Sequence, residues 1–275
     1  MRALALAGLD VAASSFRLFE DQPALVVERF DRRSMPGGQV LRIHQEDLLQ
    51  ALALDPTRKY EDDRGPTLQT IANLLRTHLD DDGIRSFATQ VIANTVLGAP
   101  DAHAKNYGLL LAGPTVKLAP AYDVSSGLMG DATGHLRYRT YAHAIGGERR
   151  IGEVGGHHWD RFARLLGLDP TWVRTRVADL AMSLPRGFAR ALDELDPSTP
   201  GLDTVGAVVL PRVEALAERT LDLLDDTHTS TSAPVRPRAE RTFFDTLEST
   251  EATASDGAHG SSTEGAGGFG FDAGK

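Results

Sequence analysis

Cysteine is absent from the 275 residues. That excludes disulfides and thiolate metal sites, and it is compatible with a reducing compartment. Lysine is scarce: only Lys59, Lys105, Lys117 and Lys275 occur, against 29 basic residues in all. Long apolar runs are missing too. The N-terminal MRALALAGLD is too short to cross a bilayer, and Asp10 interrupts it. A secretory signal core is the weaker alternative, because Ala3, Leu4 and Ala7 fit one face of a helix. We read this stretch as the truncated start of a core helix, and the sequence predicts a cytoplasmic protein that meets no membrane. A basic excess is also lacking. The net charge is −9, which does not favour direct nucleic-acid binding. The GGERR patch at Arg149 and Arg150 is the one basic hint, and a solvated loop explains it. Large apolar residues thin out near Asp226. Residues 227–275 are mostly Thr, Ser, Gly, Asp, Glu and Pro. Such a segment buries too little surface to offset its ordering entropy, which predicts a disordered tail. A docking turn at Phe243, Phe244 and Leu247 is a minor alternative. The foldable part is residues 1–226, long enough for a sizeable core.

What remains reads as α+β. SSFRLFED and PALVVERFDRR, joined by a turn with Asp21 and Pro23, suggest a β-hairpin. QVLRI suggests a further short strand. HQEDLLQALAL looks like a helix with acids in its first turn. TLQTIANLLRTHL and IRSFATQVIANTVLG carry helical apolar spacing, with Gly98 and Pro100 ending the second. YGLLLAG and TVKLAPAYD suggest a second hairpin around Gly113 and Pro114. From residue 156 onward the pattern is helical, in separate pieces after Pro170 and before PRGFARALDEL. Pro211 should kink or divide the last helix. No internal repeat is visible.

The chemistry-bearing stretch is APDAHAKNYGLLL, residues 99–111. Asp101 and Asn106 stand in D-x-x-x-x-N spacing, and Asp123 follows 17 residues after Asn106. Phosphoryl transfer needs an acceptor for a hydroxyl proton, oxygen ligands for Mg²⁺ and donors for the phosphates. Asp101 fits the first role, Asn106 and Asp123 the second, and Lys105 is placed to meet phosphate charge. Taken alone, D-x-x-x-x-N is a weak signal, and Asp101 capping the loop after a helix explains it as well. The position between a buried helix and a hairpin ending in Asp is more informative.

VERFDRR, HQEDLLQALAL with KYEDDRGP, DAHAKN and LAPAYDVSS, in that order, resemble the C-terminal region of the HipA family. IGGERR followed by HHW is similar as well. That family comprises serine/threonine protein kinases acting as toxins of type II toxin–antitoxin modules. The resemblance covers roughly residues 1–226. It implies a protein-kinase-like fold: a partial small β-rich lobe over residues 1–45 and a mostly helical large lobe over 46–226. It implies that Glu28, Arg29 and Phe30 form the hinge that meets adenine. His103, Ala104, Lys105, Asn106, Tyr122 and Asp123 would line the ATP–Mg²⁺ site, with Asp101 as the catalytic base. Its implied partners are a protein Ser/Thr substrate and a helix-turn-helix antitoxin.

Two departures stand out. Ala99 and Pro100 precede Asp101 where the family usually carries Asn and a small polar residue, so weaker support of the loop is expected. No lysine and no Gly-rich phosphate loop precede the hinge at Glu28, so the chain reads as N-terminally truncated and weak or inactive alone. A non-catalytic binding protein docking the antitoxin is the main rival. A small-molecule phosphotransferase is the other, and VERFDRR and KYEDDRGP argue against it. Simpler roles compete at single positions. His103 is better explained as a core histidine fixing its loop by hydrogen bonds than as a proton shuttle. His157 and His158 diverge on a helix and lack a third ligand, so they mark a helix start rather than a zinc site. Asp80 to Asp82 form a solvated turn.

Overall fold

The computed structural model describes residues 1–131 and 134–225. The tail predicted to be disordered lies outside them. A short helix α1 (Arg2–Leu6) leads into the hairpin β1 (Ser14–Phe19) and β2 (Gln22–Val27), paired from Ser14↔Val27 to Phe19↔Gln22. A second small hairpin follows, β3 (Arg32–Ser34) with β4 (Val40–Arg42). These hairpins keep large apolar side chains in solvent, with Phe19 60%, Leu25 61% and Val40 60% exposed.

HQED is not helical. His44–Asp47 is strand β5, paired antiparallel with β6 (Gly108–Ala112), which in turn pairs with β7 (Thr115–Leu118). Only Leu48–Ala51 is helix α2. The Asp47 carboxylate accepts from the Gln50 N–H, and the Gln50 side chain returns to the Asp47 N–H, which fixes the helix start. The strand wins over the helical pattern because β6 supplies a non-local partner that no local spacing reveals.

The body is helical: α3 (Leu68–His78), α4 (Asp81–Val96), α5 (Gly156–Leu166), α6 (Pro170–Asp193), α7 (Leu202–Thr204) and α8 (Leu210–Asp225). Asp80 caps α4 through the Gly83 N–H, and Asp81 and Asp82 sit in its first turn. The acidic run therefore faces the helix dipole instead of forming a turn. α4 is the central helix. It packs on α6 and α8, and every residue from 90 to 96 is buried. Each large apolar side chain closed off this way contributes roughly 1.5–3 kcal/mol. The buried polar residues of α4 reach across to the strands. Gln90 donates to the Ala119 carbonyl (3.0 Å), and Asn94 donates to the Tyr107 hydroxyl (3.0 Å).

Three further expectations change. GGERR is the turn and second strand of a hairpin, β8 (Thr140–Ile145) with β9 (Glu148–Arg150), and not a solvated loop. Gly146 is left-handed at φ 57°, and a Cβ there would lie 2.0 Å from the His158 carbonyl oxygen. Helix α6 runs unbroken through Pro185. Before Pro211 the last helix is not cut but widened, into one π-helical turn over Val205–Val209.

Candidate active site

Asp101 stands in the loop after α4. Gly98 turns that loop at φ 61°, and a Cβ on Gly127 would fall 2.6 Å from Pro100 Cγ. Pro100 therefore rests flat on a glycine, and the Gly127 N–H donates to the Gly98 carbonyl (2.9 Å). The proline takes packing support where a polar neighbour was expected to be missed. From Asp101 the chain makes a 3₁₀ turn at Ala104–Asn106 and enters β6. The Asp101 carbonyl accepts from the His103 N–H (2.8 Å) and from Asn106 Nδ2 (2.9 Å), so Asn106 closes the loop on its first residue.

Asp101, Asn106, Tyr122 and Asp123 line one small cleft, together with Asn94 and Ser125. Asn106 is buried, and its Nδ2 also lies 3.5 Å from the Asp123 carbonyl. Its side-chain oxygen makes no hydrogen bond among the described residues. Asp123 adopts a left-handed backbone at φ 54°, exposed, and its carboxylate bonds to no group among the described residues. An amide oxygen and a carboxylate left free on one cleft are hard oxygen donors, the kind Mg²⁺ takes together with phosphate oxygens. No cluster of three or more His, Cys, Asp or Glu able to hold a metal occurs among the described residues. The two oxygens fit a Mg²⁺ whose remaining ligands would be phosphate oxygens and water.

The Asp101 side chain is 52% exposed, and its Oδ1 accepts from the Tyr60 hydroxyl. His103 is buried with Nε2 3.7 Å from that oxygen, and its Nδ1 has no partner. Burial lowers its pKa, against the opposing pull of Asp101. It is held by packing, not by the ring hydrogen bonds expected of it. Ala104 is buried beneath it, and the carbonyl of half-buried Lys105 accepts from the Tyr122 hydroxyl (2.7 Å).

The hinge segment reaches the site through one residue. The Phe30 ring lies 5.5 Å from that of Tyr122. The Glu28 side chain is exposed, and its N–H is taken by the Ala13 carbonyl (2.8 Å). Arg29 forks onto Asp31 at 2.7 and 2.6 Å. The Arg29 bond, with Arg32 beside it, outweighs burial and pulls the Asp31 carboxyl down to about 2. Upstream, Val11 forms a parallel bridge with Ala121, one residue before Tyr122.

Reading the sequence missed Tyr60, Lys59 and Asn94. Lys59 Nζ lies 4.9 Å from the Tyr60 ring centroid, and the buried Asn94 Oδ1 has no partner. KYEDDRGP carried the signal for the first two, but nothing in it says that the loop folds over Asp101. Hairpin β8–β9 holds it there: Arg149 bonds Asp62, and His143 lies 3.6 Å from Glu61. Gly65 seals the loop, since a Cβ would meet the Tyr60 carbonyl oxygen at 2.4 Å.

The model of the HipA-like C-terminal domain matches residues 1–188. The chain is 36% identical over 197 residues to "Putative kinase Y4mE" of Sinorhizobium fredii, covering 70% of this chain and 46% of that protein. It is 28% identical over 242 residues to the serine/threonine-protein kinase toxin HipA of Shewanella oneidensis, covering 82% and 54%. Among solved structures, HipA of Shewanella oneidensis MR-1, in complex with HipB and its operator DNA, superposes with a TM-score of 0.74 at 26% identity, over 82% of this chain and 55% of that one. The chain thus spans about half the length of these relatives. With its motifs in order, its α+β architecture matched and a family model covering more than half its length, the chain belongs to the HipA-like C-terminal domain family, that of the HipA toxin kinases.

Proposed function

We propose that this chain is the catalytic half of a HipA-like kinase, transferring the γ-phosphate of ATP to a serine or threonine of a protein. The observation that carries the proposal is the shared cleft of Asp101, Asn106 and Asp123. In this reading residues 1–45 are part of a small lobe and the rest is a kinase large lobe. Asp101 takes the proton of the acceptor hydroxyl as its oxygen bonds to the γ-phosphorus, and the bond to ADP breaks. The Asn106 amide oxygen and the Asp123 carboxylate would hold Mg²⁺, which would supply charge neutralisation at the phosphates. Phe30 and Tyr122 pack the adenine side. The Arg29 N–H and the Phe30 backbone would meet the base edge, because the Glu28 N–H is taken by Ala13 and the Arg29 carbonyl by the Arg32 N–H (3.2 Å). Lys105 stands near the phosphates.

The Shewanella toxin was solved with HipB and operator DNA. By the same likeness we assign this chain a helix-turn-helix antitoxin partner. The test of the enzyme reading is phosphate transfer from labelled ATP to protein, for wild type and Asp101→Ala. Loss of the base should cut the rate by about 10²-fold or more. Equal rates would contradict the role of Asp101.

A further inference from the structure

Loop 58–65 contributes nothing to the ATP-site motifs, yet it ends on the carboxylate that would act as base. Tyr60 bonds Asp101 Oδ1, and no group among the described residues bonds Oδ2. One oxygen is fixed and the other is open. The phenol itself is held from several sides. His103 meets its ring edge-on at 5.1 Å, and Lys59 sits over the ring. The N–H groups of Asp63 (3.1 Å) and Gly65 (2.8 Å) both donate to the Tyr60 carbonyl. Asp62 and Glu61 anchor the same loop on Arg149 and His143.

We propose that Tyr60 is a positioning residue for Asp101: its hydroxyl fixes Oδ1 and thereby presents Oδ2 to the hydroxyl of the protein acceptor. The proposal rests on the reading of Asp101 as the base. A carboxylate free to rotate offers its lone pair in the reactive direction only part of the time, and orientation of this kind is a large share of what a transferase supplies. Tyr60 stays a donor throughout the working range, because burial, and then the bond to Asp101, hold its phenol above the ordinary value. The charged and titratable groups around the pair are His103 on the same loop, Lys59 and Asp63 on the Tyr60 loop, Asp123 across the cleft, and Tyr138.

Tyr60→Phe removes the hydroxyl and keeps the ring against His103. In a chain labelled with ¹³C at tyrosine Cζ, with Tyr60→Phe to assign the signal, Asp101→Ala at constant pH should move the Tyr60 signal, because the hydroxyl loses its acceptor. The Tyr141 signal, from a hydroxyl bonded to the Thr95 carbonyl, should not move, which reports an intact fold. A Tyr60 signal that stays put overturns the proposal. The measurement needs no turnover, so it decides the contact even where Asp101→Ala and wild type transfer phosphate alike and the kinase reading fails. Where transfer is measurable, Tyr60→Phe should lower kcat about tenfold at unchanged KM for ATP. A loss confined to KM overturns the positioning role.

Discussion

At the scale of single residues, the site is marked by polar atoms that the fold leaves free. The Asn106 nitrogen is tied to the backbone, and the Asp123 carboxylate, on a left-handed residue, has no bond among the described residues. That conformation costs a non-glycine residue about 1 kcal/mol or more, and such strain gathers at functional positions. His158 shows the opposite situation, a polar side chain fully committed to structure. Its Nδ1 accepts from the Gly155 N–H (3.0 Å) at the start of α5, so the ring must be neutral. Burial, with His157 stacked beside it, pulls its pKa down to about 4. Between that value and the ordinary 6.5 the unfolded chain binds the extra proton. Stability should therefore fall as pH drops through this window, by on the order of 1 kcal/mol after allowing for solvent screening. Urea denaturation from pH 7 to 4 should show this slope in wild type and a flatter one in His158→Gln.

At the scale of elements, legibility followed locality. Helices α3 and α4 and hairpin β6–β7 stand in the sequence as periodicity and turn chemistry, because neighbouring residues decide them. Strand β5 does not, because its four residues are held only by β6, more than sixty positions away. The β8–β9 hairpin carried its signal openly: two glycines, Gly146 and Gly147, between short strands are a hairpin turn. Its charged end masked it, since Arg149 reads as solvated until Asp62 and the Tyr141 carbonyl are seen to meet it. Helix α6 passes Pro185 because tertiary packing outweighs one lost hydrogen bond. Two residues on, Gly187 seats α1, and a Cβ there would stand 2.7 Å from the Ala3 carbonyl oxygen. That seat matters to the site, since α1 leads directly to the Val11–Ala121 bridge beside Tyr122. Alanine favours a helix by about 1 kcal/mol over glycine. Gly187→Ala should nevertheless lower the unfolding free energy by about 1–3 kcal/mol in urea. A gain would show that α1 is not seated there.

At the scale of the molecule, the two parts are unequally closed. The helical body buries a continuous core around α4, while β1–β2 and β3–β4 leave Phe19, Leu25 and Val40 in solvent. The candidate site belongs to the closed part: Asp101, Asn106 and Asp123 are all carried by loops anchored on α4 and β6–β7. Their convergence on one cleft was legible because spacing and order survive in the sequence. Tyr60 was not, since its approach to Asp101 depends on a hairpin about eighty residues further on. Calorimetry of a non-hydrolysable ATP analogue, with and without Mg²⁺, addresses these three side chains together. Wild type should bind the analogue only with Mg²⁺, and Asp123→Asn should weaken that binding about tenfold or more. Equal binding by Asp123→Asn, or binding indifferent to Mg²⁺, would contradict a magnesium–nucleotide site in this cleft.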